Sequence, residues 1–327
     1  MVRAAAIPPL LTGLGPLVAR YDLILSDVWG VVHDGTAAFA DATTALERAR
    51  GRDTAVVLVS NAPRPGVVVE RQMAALGVPR SCYDAVVTSG DVAREELGRR
   101  PGARLYHLGP DRDLPNYENL DVVLVALEEA ELVVCTGLSD DTKETPEDYA
   151  GLLARIRERG LLMLCANPDI VVERGKNRIW CAGALAQSYA ALGGPVLYAG
   201  KPHPAIYRMV LARAAAITGK GIAPSRVLAI GDGVRTDLAG AAGQGFDCLF
   251  VAEGIHAAEL GLGARAEPDP ERYAAVFAGA GTWPTAIIRR LVWQARRASP
   301  ARGPISGTAC RYRPGRCPPW AGRSDRR

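Results

Sequence analysis

The stretch Leu23-Ile-Leu-Ser-Asp-Val-Trp-Gly-Val-Val-His-Asp-Gly35 decides the fold. An apolar run ends at a single acid, Asp27, and glycines follow at positions 30 and 35. Such runs are typical of strands that are buried on both faces of a parallel sheet. Ligands bind at the carboxyl ends of the strands in open α/β sheets. Asp27 is therefore predicted where a nucleophile or metal ligand would lie, although Asp is also a common turn residue and helix N-cap.

Further apolar runs repeat this pattern along the chain. Thr54–Val59 ends at Ser60, and Arg226–Ile230 ends at Gly231, with amphipathic helices between the runs. Pro195–Ala199 is interpreted as a return to the same sheet after a long interruption. The β-α-β-α order predicts a doubly wound parallel α/β core of the Rossmann-like kind.

The interruption, residues 100–194, has its own candidate strands and helices, which predicts a second, inserted α/β domain. Beyond about residue 299 the chain is rich in Arg, Pro and Gly and shows no hydrophobic period, which is typical of disorder. The predicted organisation is a lead-in over 1–20, a core over 21–99 and 195–298, an inserted domain over 100–194 and a disordered basic tail over 299–327.

Composition excludes several functional classes. The 327 residues carry a formal charge of +4, but the 11 Arg and single acid after position 288 make the tail +10 and leave −6 for residues 1–288. The main body therefore gives no sign of specific nucleic-acid binding. The sequence has no apolar stretch of about 20 residues, which is the length that a membrane span needs. The seven Cys form no Cys-x-x-Cys pair, which favours reduced thiols in a cytoplasmic protein.

Polar groups of different kinds follow the strand ends: the carboxylate of Asp27, the hydroxyl of Ser60 beside the amide of Asn61, the cation of Lys201, and the carboxylates of Asp232 and Asp237. Phosphoryl transfer needs cations and hydrogen-bond donors around the transferred group. Carboxylates with phosphate are typical ligands of Mg²⁺, and an Asp can carry a phosphoryl group covalently. Structural alternatives are a helix-end charge for Asp237, a surface position for Lys201 and an N-cap role for Ser60.

Taken together, these motifs resemble the four motifs of the haloacid dehalogenase superfamily, over roughly residues 20–255. The insertion resembles the large α/β cap of subclass IIA, which contains p-nitrophenyl, nucleotide and pyridoxal phosphate phosphatases. The resemblance to this subclass rests on Val59-Ser-Asn61, Ala166-Asn-Pro-Asp169, Gly183-Ala184 and Gly200-Lys-Pro-His-Pro204.

The resemblance implies a role for each matching residue. Asp27 would be the nucleophile and a Mg²⁺ ligand, together with the backbone carbonyl of Trp29 and the side chain of Asp232. The remaining residues would grip the phosphoryl group or support the site: Ser60, Lys201, Asn61, the cap residues Asn167 and Asp169, and Asp237. Asn-Pro-Asp is also typical of an ordinary turn. Relatives with such caps often pair, so a homodimer through the cap stays open.

One position departs from the resemblance. Phosphatases of this group carry Asp two residues after the nucleophile as general acid and base, and this chain has Trp29 there. General acid–base catalysis contributes about 10²–10⁴ in rate, so esters with poor leaving groups would suffer most. His33 and Asp34 are candidates to replace the missing acid, although both also fit a plain turn before Gly35.

The sequence therefore predicts a Mg²⁺-dependent hydrolase that removes phosphate from a small phosphorylated metabolite through an aspartyl-phosphate on Asp27. The first alternative is a catalytically weakened relative that binds a phosphorylated metabolite and acts as a sensor, because Trp29 replaces the acid. The second is a dehalogenase-type hydrolase that works without Mg²⁺. A dinucleotide-binding protein is disfavoured, since no Gly-x-Gly-x-x-Gly follows the first strand.

Overall fold

The computed structural model describes residues 8–174, 177–262, 269–278 and 281–294. The predicted tail over 299–327 and part of the lead-in lie outside the described residues. The strands are β1 (Leu10–Leu11), β2 (Leu23–Ser26), β3 (Ala55–Ser60), β4 (Ala85–Thr88), β5 (Ala103–Leu108), β6 (Val122–Leu124), β7 (Leu132–Cys135), β8 (Leu162–Cys165), β9 (Val171–Arg174), β10 (Asn177–Trp180), β11 (Val196–Tyr198), β12 (Val227–Gly231), β13 (Asp247–Val251) and β14 (Ala286–Ile288).

The helices alternate with these strands over most of the chain. They are α1 (Gly15–Val18), α2 (Ala40–Arg50), α3 (Gly66–Ala75), α4 (Ser89–Gly98), α5 (Ala150–Glu158), α6 (Ala182–Ala191), α7 (Pro204–Thr218), α8 (Ala239–Gln244) and α9 (Pro270–Ala278). A π-helical turn, Val234–Leu238, follows β12, and such turns are frequent at functional sites.

Seven strands form the core sheet, in the order β1-β14-β13-β12-β2-β3-β4, and every neighbouring pair is parallel. Alternate side chains of β2 point to opposite faces: Leu23 and Leu25 join one apolar cluster, and Ile24 joins another. The predicted doubly wound α/β core is confirmed. Because β2 lies between β12 and β3, the loops after these three strands meet at one edge of the sheet.

A second parallel sheet, in the order β11-β8-β7-β5-β6, is built between α4 and α7. Residues 103–198, which build this sheet and the antiparallel β9–β10 hairpin, are called the cap below. One prediction is wrong here. Val196–Tyr198 was expected in the core sheet, but β11 pairs with β8, so the chain returns to the core only after Tyr198.

The cap buries a core of its own on one face of its sheet. Val133 and Met163 pack there with Leu153 of α5 and Leu185 of α6. The alternate residues Val134 and Leu164 belong instead to the apolar cluster that continues into the core. The cap sheet is therefore anchored to the core by buried apolar contacts.

Candidate active site

The site lies at the carboxyl edge of the core sheet. Asp27 follows β2, Ser60 ends β3, and Asp232 follows β12. The backbone N–H of Asp27 donates to the carbonyl of Ile230 at 2.8 Å, which ties the first loop to the neighbouring strand. Three of the predicted side chains are thus brought together by strand order alone.

Lys201 is the buried cation of the site. Its Nζ lies 2.7 Å from Oδ1 of Asp27 and 2.7 Å from Oδ1 of Asp237, and its side chain is 4% exposed. Burial lowers the pKa of the ammonium, but the charges of Asp237 and Asp27 outweigh it and hold this pKa well above the ordinary value. Lys201 is therefore a fixed positive charge beside Asp27, and not a surface lysine.

Asp237 holds this cation in place. Its Oδ1 accepts from Lys201 at 2.7 Å, and its Oδ2 accepts the backbone N–H of Gly233 at 3.1 Å. Both oxygens are thus engaged by the protein itself. Asp237 is therefore a buried partner of Lys201, and not a helix-end charge on the surface.

Three carboxylates converge around one position. Ligand oxygens of Asp27, Asp232 and Asp237 lie within 4.8 Å of one another. The backbone N–H of Ile255 donates to Asp232 at 2.8 Å and fixes its orientation. Burial and the charge of Asp237 raise the pKa of Asp232 to about 7. Because three carboxylates face a single ammonium, the donor set fits a hard divalent cation such as Mg²⁺.

Gly254, which follows β13, leaves space for the side chain of Asp232. A Cβ at this glycine would lie 2.0 Å from Oδ2 of Asp232. Sequence reasoning did not assign Gly254 or Ile255 to the site. The visible signal was a Gly two residues after the apolar run Cys248–Ala252, and a Gly at such a place is also common in turns.

Asn61 joins the core to the cap. Its Oδ1 accepts the backbone N–H of Lys201 at 2.7 Å, and its Nδ2 donates to the carbonyl of Lys201 at 3.1 Å and to Oδ1 of Asp169 at 2.9 Å. The backbone N–H of Asp169 in turn donates to Oδ1 of Asn167 at 3.1 Å. The structure therefore places both predicted cap residues beside the core residues of the site.

Two cavities meet at these residues. The nucleophile cavity, of about 170 Å³, has Asp27, Trp29, Ser60, Asp169, Asp232 and Gly254 in its wall. The cap cavity, of about 90 Å³, has Trp29, Ser60, Arg112, Thr136, Asp169 and Trp180 in its wall. A substrate can therefore have its reacting group near Asp27 and the rest of its structure under the cap.

Sequence reasoning missed the charged residues of the cap cavity. Arg64 lies 3.5 Å from the buried Asp113, and Arg112 lies 2.5 Å from Asp141. Burial raises the pKa of Asp113 and outweighs the positive charges of Arg64 and Arg112, which lower it. No motif marks these residues, because they come together only when the cap folds over the core.

Two other predictions can be compared with the structure. Cys82, Cys135, Cys165, Cys181 and Cys248 are free and buried, as expected for reduced thiols. Among the residues that the structure describes, no helix has the length and apolar character needed to cross a membrane.

Comparisons with known proteins give a consistent result. A model of haloacid dehalogenase-like hydrolases matches residues 24–123, and a second model of this superfamily matches residues 198–277. A hydrolase of the haloacid dehalogenase-like family from Brucella suis 1330 is 49% identical, with a TM-score of 0.77 over 86% of this chain and 100% of its own.

Two comparisons concern Mycobacterium tuberculosis. Its D-glycerol 3-phosphate phosphatase is 28% identical over 250 residues, which span 74% of this chain and only 66% of that protein. The structure of a glycerol phosphate phosphatase in complex with magnesium is 25% identical, with a TM-score of 0.60 over 83% of this chain and 75% of its own. The family expected from the sequence is confirmed, and the expected Mg²⁺ agrees with the carboxylate cluster and with that magnesium complex. The chain belongs to the haloacid dehalogenase-like hydrolase family.

Proposed function

We propose that this protein is a Mg²⁺-dependent phosphatase of small phosphate monoesters that acts through an aspartyl-phosphate on Asp27. The observation that carries the proposal is the position of Lys201, whose ammonium lies 2.7 Å from Oδ1 of Asp27. A buried cation against one carboxylate oxygen is suited to a site where a negatively charged group is transferred. The activity of the mycobacterial glycerol phosphate phosphatase supports the same reaction class.

Asp27 is the nucleophile in this proposal. Its Oδ1 accepts the backbone N–H of Val28 at 2.7 Å as well as the ammonium of Lys201, so Oδ2 is the oxygen assigned to attack phosphorus. The hydroxyl of Ser60 and the ammonium of Lys201 bind the phosphoryl oxygens. The bond from phosphorus to the ester oxygen breaks and the alcohol leaves. Water then attacks the phosphorus of the aspartyl-phosphate, the bond to Asp27 breaks, and inorganic phosphate leaves.

Asp27 and Asp232, with the backbone carbonyl of Trp29, are the residues assigned to hold Mg²⁺. When bound, the ion neutralises charge on the phosphoryl oxygens. Asp237 keeps Lys201 oriented, and Asn61 keeps the Lys201 backbone and Asp169 in place. Asn167 and Asp169 face the substrate from the cap.

The experiment uses the purified chain with p-nitrophenyl phosphate and glycerol 3-phosphate, in excess MgCl₂ or in EDTA. We expect turnover in Mg²⁺, none in EDTA, and none for Asp27→Asn, which removes the nucleophile with almost no change of volume. The control Asp140→Asn removes a carboxylate whose partner Lys143 is exposed, and its turnover should match the parent. Acid quenching with labelled substrate should trap label on the parent and not on Asp27→Asn.

The alternatives give different results in the same assays. A sensor protein would bind the esters without turning them over. A dehalogenase-type hydrolase would release halide from a haloacid in EDTA. Full turnover by Asp27→Asn would refute the assignment of the nucleophile.

A further inference from the structure

His33 and Asp34 follow Trp29 closely in the chain and are the first candidates for the missing general acid. His33 is 4% exposed, its Nδ1 accepts the backbone N–H of Gly35 at 3.0 Å, and its ring packs edge-on against Trp29 at 5.1 Å. Burial lowers the pKa of His33. Within the described part of the chain, His33 lies in the wall of neither cavity. This imidazole is therefore a packing element of the loop.

Asp34 does lie in the wall of the nucleophile cavity, but it has no proton to give. Its Oδ1 accepts from the hydroxyl of Thr36 at 2.5 Å and from the backbone N–H groups of Thr36 and Ala37 at 2.8 and 3.0 Å. These hydrogen bonds, with the Thr36 hydroxyl first, lower the pKa of Asp34 to about 2. At neutral pH Asp34 is an ionised turn residue.

A third carboxyl reaches the site from the cap. Among the residues that the structure describes, four belong to the walls of both cavities, and Asp169 is the only carboxyl of these four; the others are Trp29, Ser60 and Val172. A phosphate ester bound in this site has its phosphorus near Asp27 and its alcohol in the cap cavity. The oxygen that joins phosphorus to the alcohol then lies where the two cavities meet. Asp169 is thus placed beside the oxygen that leaves.

The loop that carries Asp169 is fixed at several points. Oδ1 of Asp169 accepts from Asn61 at 2.9 Å, and its carbonyl accepts the backbone N–H of Gly183 at 3.1 Å. A Cβ at Gly183 would lie 2.3 Å from the carbonyl oxygen of Pro168, so this close approach requires glycine. With Oδ1 engaged by Asn61, Oδ2 is the oxygen assigned to carry a proton. Burial raises the pKa of Asp169 despite the opposing charge of Lys201, which favours that protonated form.

We propose that Asp169, supplied by the cap, is the general acid of this site in place of the carboxyl that is absent at position 29. The inference rests on the proposed phosphatase function. In the first step, Oδ2 of Asp27 forms a bond to phosphorus, the bond from phosphorus to the ester oxygen breaks, and the proton on Asp169 goes to that oxygen. In the second step, water attacks phosphorus, the bond from Asp27 to phosphorus breaks, inorganic phosphate keeps the protons of that water, and Asp169 regains its proton from solvent.

The test is the dependence of kcat on the leaving group. p-Nitrophenolate leaves readily without a proton, whereas the alkoxide of glycerol 3-phosphate needs one. We expect Asp169→Asn to lower kcat for glycerol 3-phosphate by about 100-fold or more, in line with the usual contribution of a general acid, and to change kcat for p-nitrophenyl phosphate by about threefold or less. The amide can still accept from Asn61, so the loop should keep its position.

Two further variants make the test specific. Asp169→Glu keeps a carboxyl, and we expect its ratio of the two kcat values to stay within about tenfold of the parent, since acid catalysis is retained. Asp141→Asn removes a charge from the cap cavity only, and should change KM for glycerol 3-phosphate rather than the kcat ratio. Melting curves show whether each variant is folded.

The outcomes separate this inference from the function on which it rests. An active parent whose Asp169→Asn variant loses both activities equally would overturn the inference alone, because Asp169 would then only position Asn61. A parent inactive on both esters would overturn the proposed function and this inference together. A selective loss on glycerol 3-phosphate with retention in Asp169→Glu supports the assignment.

Discussion

Replacing Lys201 by methionine should strongly destabilise the protein, because the ammonium is the buried counterion of two carboxylates. Its Nζ lies 2.7 Å from Asp27 and 2.7 Å from Asp237. At an effective dielectric constant of about 20, each contact corresponds to about 6 kcal/mol of Coulomb attraction before the cost of desolvation. Removal of one partner from a buried pair typically costs about 3–5 kcal/mol, since uncompensated charge remains. We expect a loss in this range for Lys201→Met.

Urea unfolding at pH 7 in EDTA measures this loss directly. The matched control is Lys143→Met, because Nζ of Lys143 lies 2.8 Å from Asp140 while its side chain is 80% exposed. A surface pair of this kind contributes about 0–1 kcal/mol, so the control should unfold almost as the parent does. Equal and small losses in the two variants would refute the argument that Lys201 compensates buried charge.

The remaining predictions concern the metal site and Trp29. Gly254→Ala should weaken Mg²⁺ binding, because the added Cβ would lie 2.0 Å from Oδ2 of Asp232. Calorimetry measures this binding. The control is Gly98→Ala, which has no atom within 4 Å of the added Cβ and should bind Mg²⁺ as the parent does. Trp29→Asp in the Asp169→Asn background should restore turnover of glycerol 3-phosphate relative to p-nitrophenyl phosphate, since a carboxyl returns beside the leaving oxygen. A folded, Mg²⁺-binding double variant without that recovery would contradict the assignment of a missing acid at position 29. A melting curve is needed, because Trp29 is partly buried and packs against His33.

The sequence predicted the core of the site because strand ends carry its residues. Asp27, Ser60 and Asp232 each follow or end a continuous apolar run, and the parallel order brings these ends to one edge. Lys201 was also predicted as a site residue, but the strand that precedes it was wrongly expected in the core sheet. β11 has only three residues, none of them fully buried, so no hydrophobic pattern could distinguish the cap sheet from the core sheet.

The role proposed for Asp169 could not be predicted in the same way, because the first loop considered alone shows only that the carboxyl expected two residues after Asp27 is missing. Asp169 is 142 residues away in the chain from Asp27, and no local pattern links the two. Their proximity depends on the hydrogen bond from Asn61 to Asp169, which crosses from the core to the cap. If the cap supplies the acid, then proton transfer requires the cap loop to be docked on the core. The aromatic ring of Trp29 lies in the wall of both cavities. This ring is compatible with the arrangement, because a carboxyl at position 29, in addition to that of Asp169, would add another negative charge beside Asp27 and Asp232.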